Sequence, residues 1–466
     1  MVYFLTFSFF IVLIHYYIGY ICHFVKCLLI LHIINNCPVK IVFLILFLLQ
    51  CNVCLWAQSF DEWFQDRTLR LDYTFSGDNR HQHIFLDEMK WSDHWYGRRV
   101  NMDSLLLQGN GQLCVKDSKS GRVLYRYSFS TLFQEWQTTE EAAKVQKSFE
   151  NVFLVPFPKN PVDITVTLTD THNKVKGHFT HHVDPKDILI RPIATDEGVR
   201  WKYLEKSGDS KEKIDVVFVS EGYTAGEMDV FEKDCYASIK ALKMYEPFAS
   251  MSDRFNFIAV TAPSQQSGVS IPHKDVWKNT ILGSSFDTFY SNRYLTTLHL
   301  KNLHDVLAGL PYEHIVILAN TDNYGGGGIY NSYLMSAAHN EKCLPVVAHE
   351  FGHSFAGLAD EYYYDDSYEV VFPSDAEPWE PNITTLVDFE SKWADMLDDK
   401  VKIPTAPTGQ NLYTQLGVYE GAGYQSKGVY RPVQECLMKI TEAPVFCPVC
   451  VRAIGRMIDY NTKQGK

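Results

Sequence analysis

The sequence predicts an α/β chain, α+β overall. A β-sandwich comes first, followed by a domain with a mixed, mostly parallel sheet and one buried helix that carries the candidate site. Three observations predict this. Period-two alternation dominates up to about Pro192. A polar stretch over 195–213 follows. After it, short apolar strands alternate with helical spacing. The divisions are a leader over 1–57, a sandwich over 58–194, a linker over 195–213 and a second domain over 214–466.

In the sandwich, Val162, Ile164, Val166 and Leu168 alternate with Asp163, Thr165 and Thr167, as on a half-buried strand. Gly111 to Val115 and Arg122 to Tyr127 flank Asp117-Ser118-Lys119-Ser120-Gly121, a hairpin signal. A short stretch near Thr139 to Phe149 reads as helical. His178, His181 and His182 fall on both faces of a strand, so they read as solvated histidines rather than ligands.

In the second domain, Asp215 to Val219, Phe257 to Val260 and His314 to Leu318 are apolar strands. Glu227 to Ala249 has helical spacing through Met228, Phe231, Cys235, Ile239, Leu242 and Tyr245. Leu300 to Leu307 reads as the end of another helix. Buried parallel strands with covering helices are the expected arrangement.

The chain has 466 residues, too many for one compact core. Its net charge of -12 argues against a nucleic-acid partner, which would call for clustered Lys and Arg. The leader holds two apolar runs, Phe4 to Phe24 and Ile41 to Leu49. They can form a membrane hairpin that tethers the protein. Alternatively the start is overcalled, and Val39 to Ala57 is a bacterial signal peptide with an imperfect Leu55-Trp56-Ala57 cleavage site. The second reading is preferred because Val39-Lys40, the apolar run and Ala57 supply all its parts. Either way the rest is exported: secreted, periplasmic or at the cell surface. Cys51 and Cys54 lack the preceding small residue that lipidation needs. Of 11 cysteines, Cys114, Cys235, Cys343, Cys436, Cys447 and Cys450 lie beyond the leader, an even set that permits disulfides.

The chemistry is carried by Val346-Val347-Ala348-His349-Glu350-Phe351-Gly352-His353. His349 and His353 are four apart and share one helix face. Two neutral imidazoles at that spacing grip one zinc at about 2.1 Å each. Glu350, beside the first ligand, is placed to take a water's proton and pass it to a leaving amine. Gly357 suits a helix end, since glycine takes the left-handed conformation. Asp360 lies three past that glycine and is the expected third ligand; Glu361 is the runner-up.

Other segments gain meaning from this helix. Tyr324 to Tyr330 includes four glycines that allow close backbone approach. An edge strand over Ile329 to Met335 would then pair with an extended peptide, with Gly327, Ile329 and Tyr330 at the substrate; the bland reading is a surface loop. Met438 is a candidate methionine turn beneath the metal, or simply a core methionine. Tyr424 and Tyr430 are candidate oxyanion donors. Cys447-Pro448-Val449-Cys450 has the spacing of a redox pair or half a zinc site, but a disulfide from Cys436 to one of them is preferred. Asn382-Ile383-Thr384 is a glycosylation acceptor only in a eukaryotic host.

The chain resembles the IgA-peptidase-like family of bacterial zinc metallopeptidases. The resemblance rests on Asp215 to Tyr223, Ser267 to Ser270, Arg293 to Thr296, His349 to Tyr362, Tyr419 to Ala422 and Tyr430 to Met438. It implies a metzincin-like catalytic domain, with His349, His353 and Asp360 as zinc ligands, Glu350 as acid/base and a protein or peptide substrate. The N-terminal half is similar to the β-rich domain that accompanies it in many members. The leader departs from the family, and the family name fixes no substrate. Two rivals remain at this level. One is a surface protein whose N-terminal domain holds glycan or protein and whose zinc is structural. The other is a zinc hydrolase of non-peptide amides.

Overall fold

The computed structural model describes residues 59–194, 198–364 and 371–463. The leader lies outside them. Among the described residues no helix is long and apolar enough to cross a membrane.

After a single turn, α1 (Phe60–Trp63), the N-terminal half is β. Its strands are β1 (Phe64–Gly77), β2 (Gln82–Asp93), β3 (Gly111–Asp117), β4 (Val123–Phe129), β5 (Lys147–Pro158), β6 (Val162–Thr169), β7 (Val175–Val183) and the two-residue β8 (Arg191–Pro192). They form two four-stranded sheets, ordered β5-β1-β2-β8 and β4-β3-β6-β7. The alternation on β6 appears as buried Val162, Ile164, Val166 and Leu168 between half-buried polar residues. Rings from both sheets meet between them: Phe129 lies 4.3 Å from Phe153, and Phe75 lies 6.3 Å from Phe129. The expected helix near Thr139 is reduced to one 3-10 turn, Glu141–Ala143. The α-helix is α2 (Leu132–Trp136), capped by the Thr131 hydroxyl, and Lys147 already starts β5. His181 is also not simply solvated. It faces Tyr73, with Nε2 2.7 Å from the phenol oxygen, and burial lowers its pKa to about 4.

The second half is built on a six-stranded sheet. Its strands are β9 (Arg200–Glu205), β10 (Ile214–Glu221), β11 (Phe255–Thr261), β12 (His314–Ala319), β13 (Gly326–Ile329) and β14 (Tyr333–Ala337), in the order β13-β14-β12-β10-β11-β9. The four inner strands are parallel; β9 and β13 run antiparallel at the two edges. β9 falls inside the stretch expected to be a linker. Three of its six residues are exposed and three half-buried, as on an edge, and its charged residues read as linker. The inner strands are apolar throughout because both faces are covered. Val216, Phe218, Val316, Leu318 and Leu334 join a core with α3 (Met228–Leu242), α5 (Cys343–Ala356) and α6 (Pro448–Thr462). Val217, Val219, Ile315, Ile317 and Met335 join the core that runs on into the sandwich. The sheet thus has α3, α5 and α6 on one side, and the N-terminal half with Leu300, Leu303 and Val306 on the other.

α3 starts at a capping box formed by Thr224 and Glu227 and ends at Leu242, short of the expected Ala249. Pro247 keeps the helix from reaching Ala249, because it has no amide proton for the Lys243 carbonyl and its ring would clash there. α4 (Leu300–Val306) is a complete short helix, preceded by loops. A third sheet joins β15 (Tyr363–Tyr364), β16 (Tyr419–Ala422) and β17 (Tyr424–Arg431) in the order β15-β17-β16.

A buried charge cluster ties the halves together. Arg70 on β1 contacts Asp72 at 2.6 Å and Asp305 on α4 at 2.5 Å, and Lys90 lies 3.2 Å from Asp72. Asp72→Ala would leave two buried cations short of a carboxylate. We expect it to cost about 3–5 kcal/mol and to lower the urea midpoint, whereas Lys144→Ala at an exposed pair should change little.

Candidate metal centre and active site

α5 carries His349 and His353 on one face, with ring centroids 4.8 Å apart. Pro345 is tolerated in the first turn, and Gly357 ends the helix at φ 60°. The Gly357 amide donates to the His353 carbonyl at 3.0 Å, and the Leu358 amide to Gly352 at 3.1 Å, which closes the helix end. The chain turns back there and delivers Asp360.

Both imidazoles are oriented by carbonyls. His349 Nδ1 donates to Leu437 O at 2.9 Å, and His353 Nδ1 to Leu358 O at 2.5 Å. In the neutral rings this leaves both Nε2 atoms as bare acceptors. They lie 3.1 Å apart, and Asp360 Oδ1 is 3.0 Å from one and 3.3 Å from the other. That oxygen is buried and has no hydrogen-bond donor. Three acceptors converging without a proton between them suit a divalent cation, and the donor set of two imidazoles and a carboxylate fits a catalytic metal with an open position.

Without the cation, protons take its place. Burial lowers the His353 pKa, but the Asp360 charge outweighs it and pushes the pKa up to about 9. His349 is raised in the same way, burial again opposing. Asp360 is held well below the carboxylate range by the two rings, against burial. Glu350 is half-buried, and burial raises its pKa while the two histidines pull it back.

The site lies in a region that known proteins share. Residues 203–413 and 408–458 match the family described as IgA Peptidase M64, over more than half of the chain. The chain belongs to the IgA peptidase M64 family. Residues 59–180 match the family described as Peptidase M64 N-terminus. Membership in the M64 family makes the chain a metallopeptidase that acts on proteins or peptides, and so sets aside the readings as a non-enzymatic surface protein and as a hydrolase of other amides. A search of curated proteins finds no match.

The remaining expected site residues divide between the site and other places in this M64 chain. Met438 is fully buried under α5, and a Cβ on Gly352 would lie 2.9 Å from its sulfur. Tyr424 is at the site but already engaged: its hydroxyl donates to Asp360 Oδ2 at 2.5 Å. Tyr430 is not part of the constellation; its electrostatic neighbours are Glu420 and Lys427. The edge strand is β13, not Ile329 to Met335, since β14 lies inside the sheet. Ile329 and Tyr330 are buried, and the Tyr330 ring packs tilted against Trp379 with centroids 5.2 Å apart. Neither side chain is open to substrate. Gly327 does lie on the edge strand, half-buried. Glu361 turns away from His349 and His353 toward three cysteines.

Sequence reasoning missed three residues. Asn382 grips the ligand loop: its Oδ1 accepts from the Ala359 amide at 2.7 Å, and its Nδ2 donates to Ala359 O at 2.9 Å. It is fully buried, which rules it out as a glycosylation acceptor. Tyr294 flanks Gly327 and donates to Glu135 Oε2 at 2.6 Å. Glu135, on α2 of the N-terminal half, is accessible yet crowded by protein, which raises its pKa to about 7; Tyr294 and His353 oppose that rise. No local sequence signal marks Glu135; Tyr294 lies in the Arg293 to Thr296 stretch and Asn382 in the Asn382-Ile383-Thr384 triplet, but neither pattern points to this site.

Proton competition gives a pH dependence. The His353 proton must leave before a metal binds, so affinity should rise with pH up to about 9 and level off above it. Chelator-competition titrations across that range check this; a pH-independent affinity would contradict the assignment.

Proposed function

We propose that this M64 metallopeptidase is an exported zinc endopeptidase, with His349, His353 and Asp360 as ligands and Glu350 as acid/base. The observation that carries the reading is the convergence of two bare Nε2 atoms and an orphaned carboxylate oxygen, with both Nδ1 protons consumed by carbonyls. Two borderline imidazoles and one carboxylate in a three-ligand set suit zinc among available divalent ions. A zinc ion held there would polarise a scissile carbonyl and acidify a water.

The chain's own groups do the rest. Glu350 follows His349 directly, and its raised pKa suits a base that takes a water's proton and returns it to the leaving nitrogen. The substrate lies extended beside β13, whose outer edge can add a strand. Glycine is required in that strand. A Cβ on Gly328 would come within 2.4 Å of Glu350 O and 3.0 Å of His353 Cβ, so only a bare backbone brings the edge this close to the helix. Tyr424 fixes Asp360 through Oδ2 and leaves Oδ1 for the metal. Met438 supports the helix from below, in the manner of a metzincin. Export rests on the leader, through either a cleaved signal peptide or a membrane tether.

Glu350→Gln should lower kcat about 100- to 10,000-fold while keeping the metal, and His349→Ala should lose both. Peptide-cleavage assays paired with metal analysis check this, and full activity in Glu350→Gln would remove Glu350 from its role. Gly328→Ala should lower kcat/KM with metal content intact, because the added methyl pushes β13 off the helix. Unchanged kcat/KM in that variant would remove β13 as the substrate strand.

A further inference from the structure

Three cysteines and one carboxylate lie together beneath the ligand loop. Cys436, Cys447, Cys450 and Glu361 are each fully buried, and one donor atom from each lies within 4.8 Å of all the others. Cys436 Sγ and Cys450 Sγ are 3.9 Å apart, and Cys450 Sγ is 3.3 Å from Glu361 Oε1. In a tetrahedral zinc site with Zn–S of about 2.3 Å, neighbouring sulfurs are about 3.8 Å apart. The Cys436–Cys450 separation is that of such a site, and no donor pair in the cluster exceeds 4.8 Å.

The surroundings are arranged for anionic sulfur. The Cys447 amide donates to Cys436 Sγ at 3.2 Å, and the Cys450 amide to Cys447 Sγ at 3.5 Å. Cys447 caps α6, a 15-residue helix, so two of the sulfurs sit at the positive end of its dipole. Asn382 Nδ2 donates to Glu361 Oε1 at 3.0 Å and holds the carboxylate in place. Glu361 Oε2 is buried with no hydrogen-bond partner. A disulfide between any two of these cysteines would leave the third thiol and this carboxylate unanswered in the same enclosed space.

We propose that Glu361, Cys436, Cys447 and Cys450 bind a second, structural zinc ion. Binding releases to solvent whatever protons the three sulfurs and the carboxyl group carry. All four positions are filled by protein, so the site is closed and has no place for substrate. It joins three segments that serve the first site. Glu361 follows Asp360 directly. Cys436 immediately precedes Leu437, whose carbonyl orients His349, and Met438, whose carbonyl accepts the Glu361 amide at 2.8 Å. Cys447 and Cys450 anchor α6. The inference stands on its own geometry and does not depend on the mechanism at the first site.

Elemental analysis of the purified full chain tests it. Two zinc ions per chain are expected. His349→Ala with His353→Ala should retain one, and Cys447→Ala with Cys450→Ala should lose one. If the cysteine variant fails to fold, the wild type still decides. A thiol-specific organomercurial should release one zinc per chain to a colorimetric chelator while the other stays bound. Alkylation after unfolding in chelator without reductant should label Cys436, Cys447 and Cys450. A single zinc that is lost in the histidine variant, or recovery of two of these cysteines as a disulfide, would overturn the proposal.

Discussion

The active-site half depends on two hydrogen bonds that fix where imidazole protons reside. Leu437 O and Leu358 O each take an Nδ1 proton, and this turns two Nε2 lone pairs toward one point. One carbonyl comes from the turn just beyond the helix and the other from a segment 88 residues downstream. The metal site therefore requires the C-terminal segment to dock before it is complete. Asp360 adds negative charge in a buried place, and this arrangement is stable only with a proton or a cation between the groups.

The sheet sets the position of everything else. Four parallel strands, apolar on both faces, form a platform on which α5 lies with Phe351 and Phe355 inward and its histidines directed away from that core. β13 runs antiparallel at the edge beside α5, and glycine lets it touch the helix backbone at Glu350. The N-terminal half covers the opposite face of the sheet and extends Glu135 to Tyr294 beside the same strand. It is thus continuous with the peptidase half in core and in charge.

Where local chemistry decides, the sequence was readable. The i,i+4 histidines, the glycine stop and the aspartate three residues later converge in the structure because each follows from helix geometry. The period-two run on β6 and the apolar inner strands follow from burial on one face or two. Where long-range contact decides, it was not. β9 is a strand only because β11 offers an edge, and its mixed Arg-Trp-Lys-Tyr-Leu-Glu run, half of it exposed, carries no clear alternation. Ile329 and Tyr330 look like cleft residues next to the glycines, yet the N-terminal half buries them. Glu361 and Asp360 are neighbours in sequence, but the backbone sends them to different clusters, which spacing alone could not separate. Asn382, Tyr294 and Glu135 reach the site across 23 or more residues of chain, and no local pattern points them to it.

The most direct test is diffraction from crystals of the full chain, with anomalous data collected on both sides of the zinc absorption edge. The account predicts an edge-specific peak bonded to His349 Nε2, His353 Nε2 and Asp360 Oδ1, with the fourth direction open toward β13. A zinc-loaded protein with no peak among those three atoms, or with the two rings rotated apart, would contradict it.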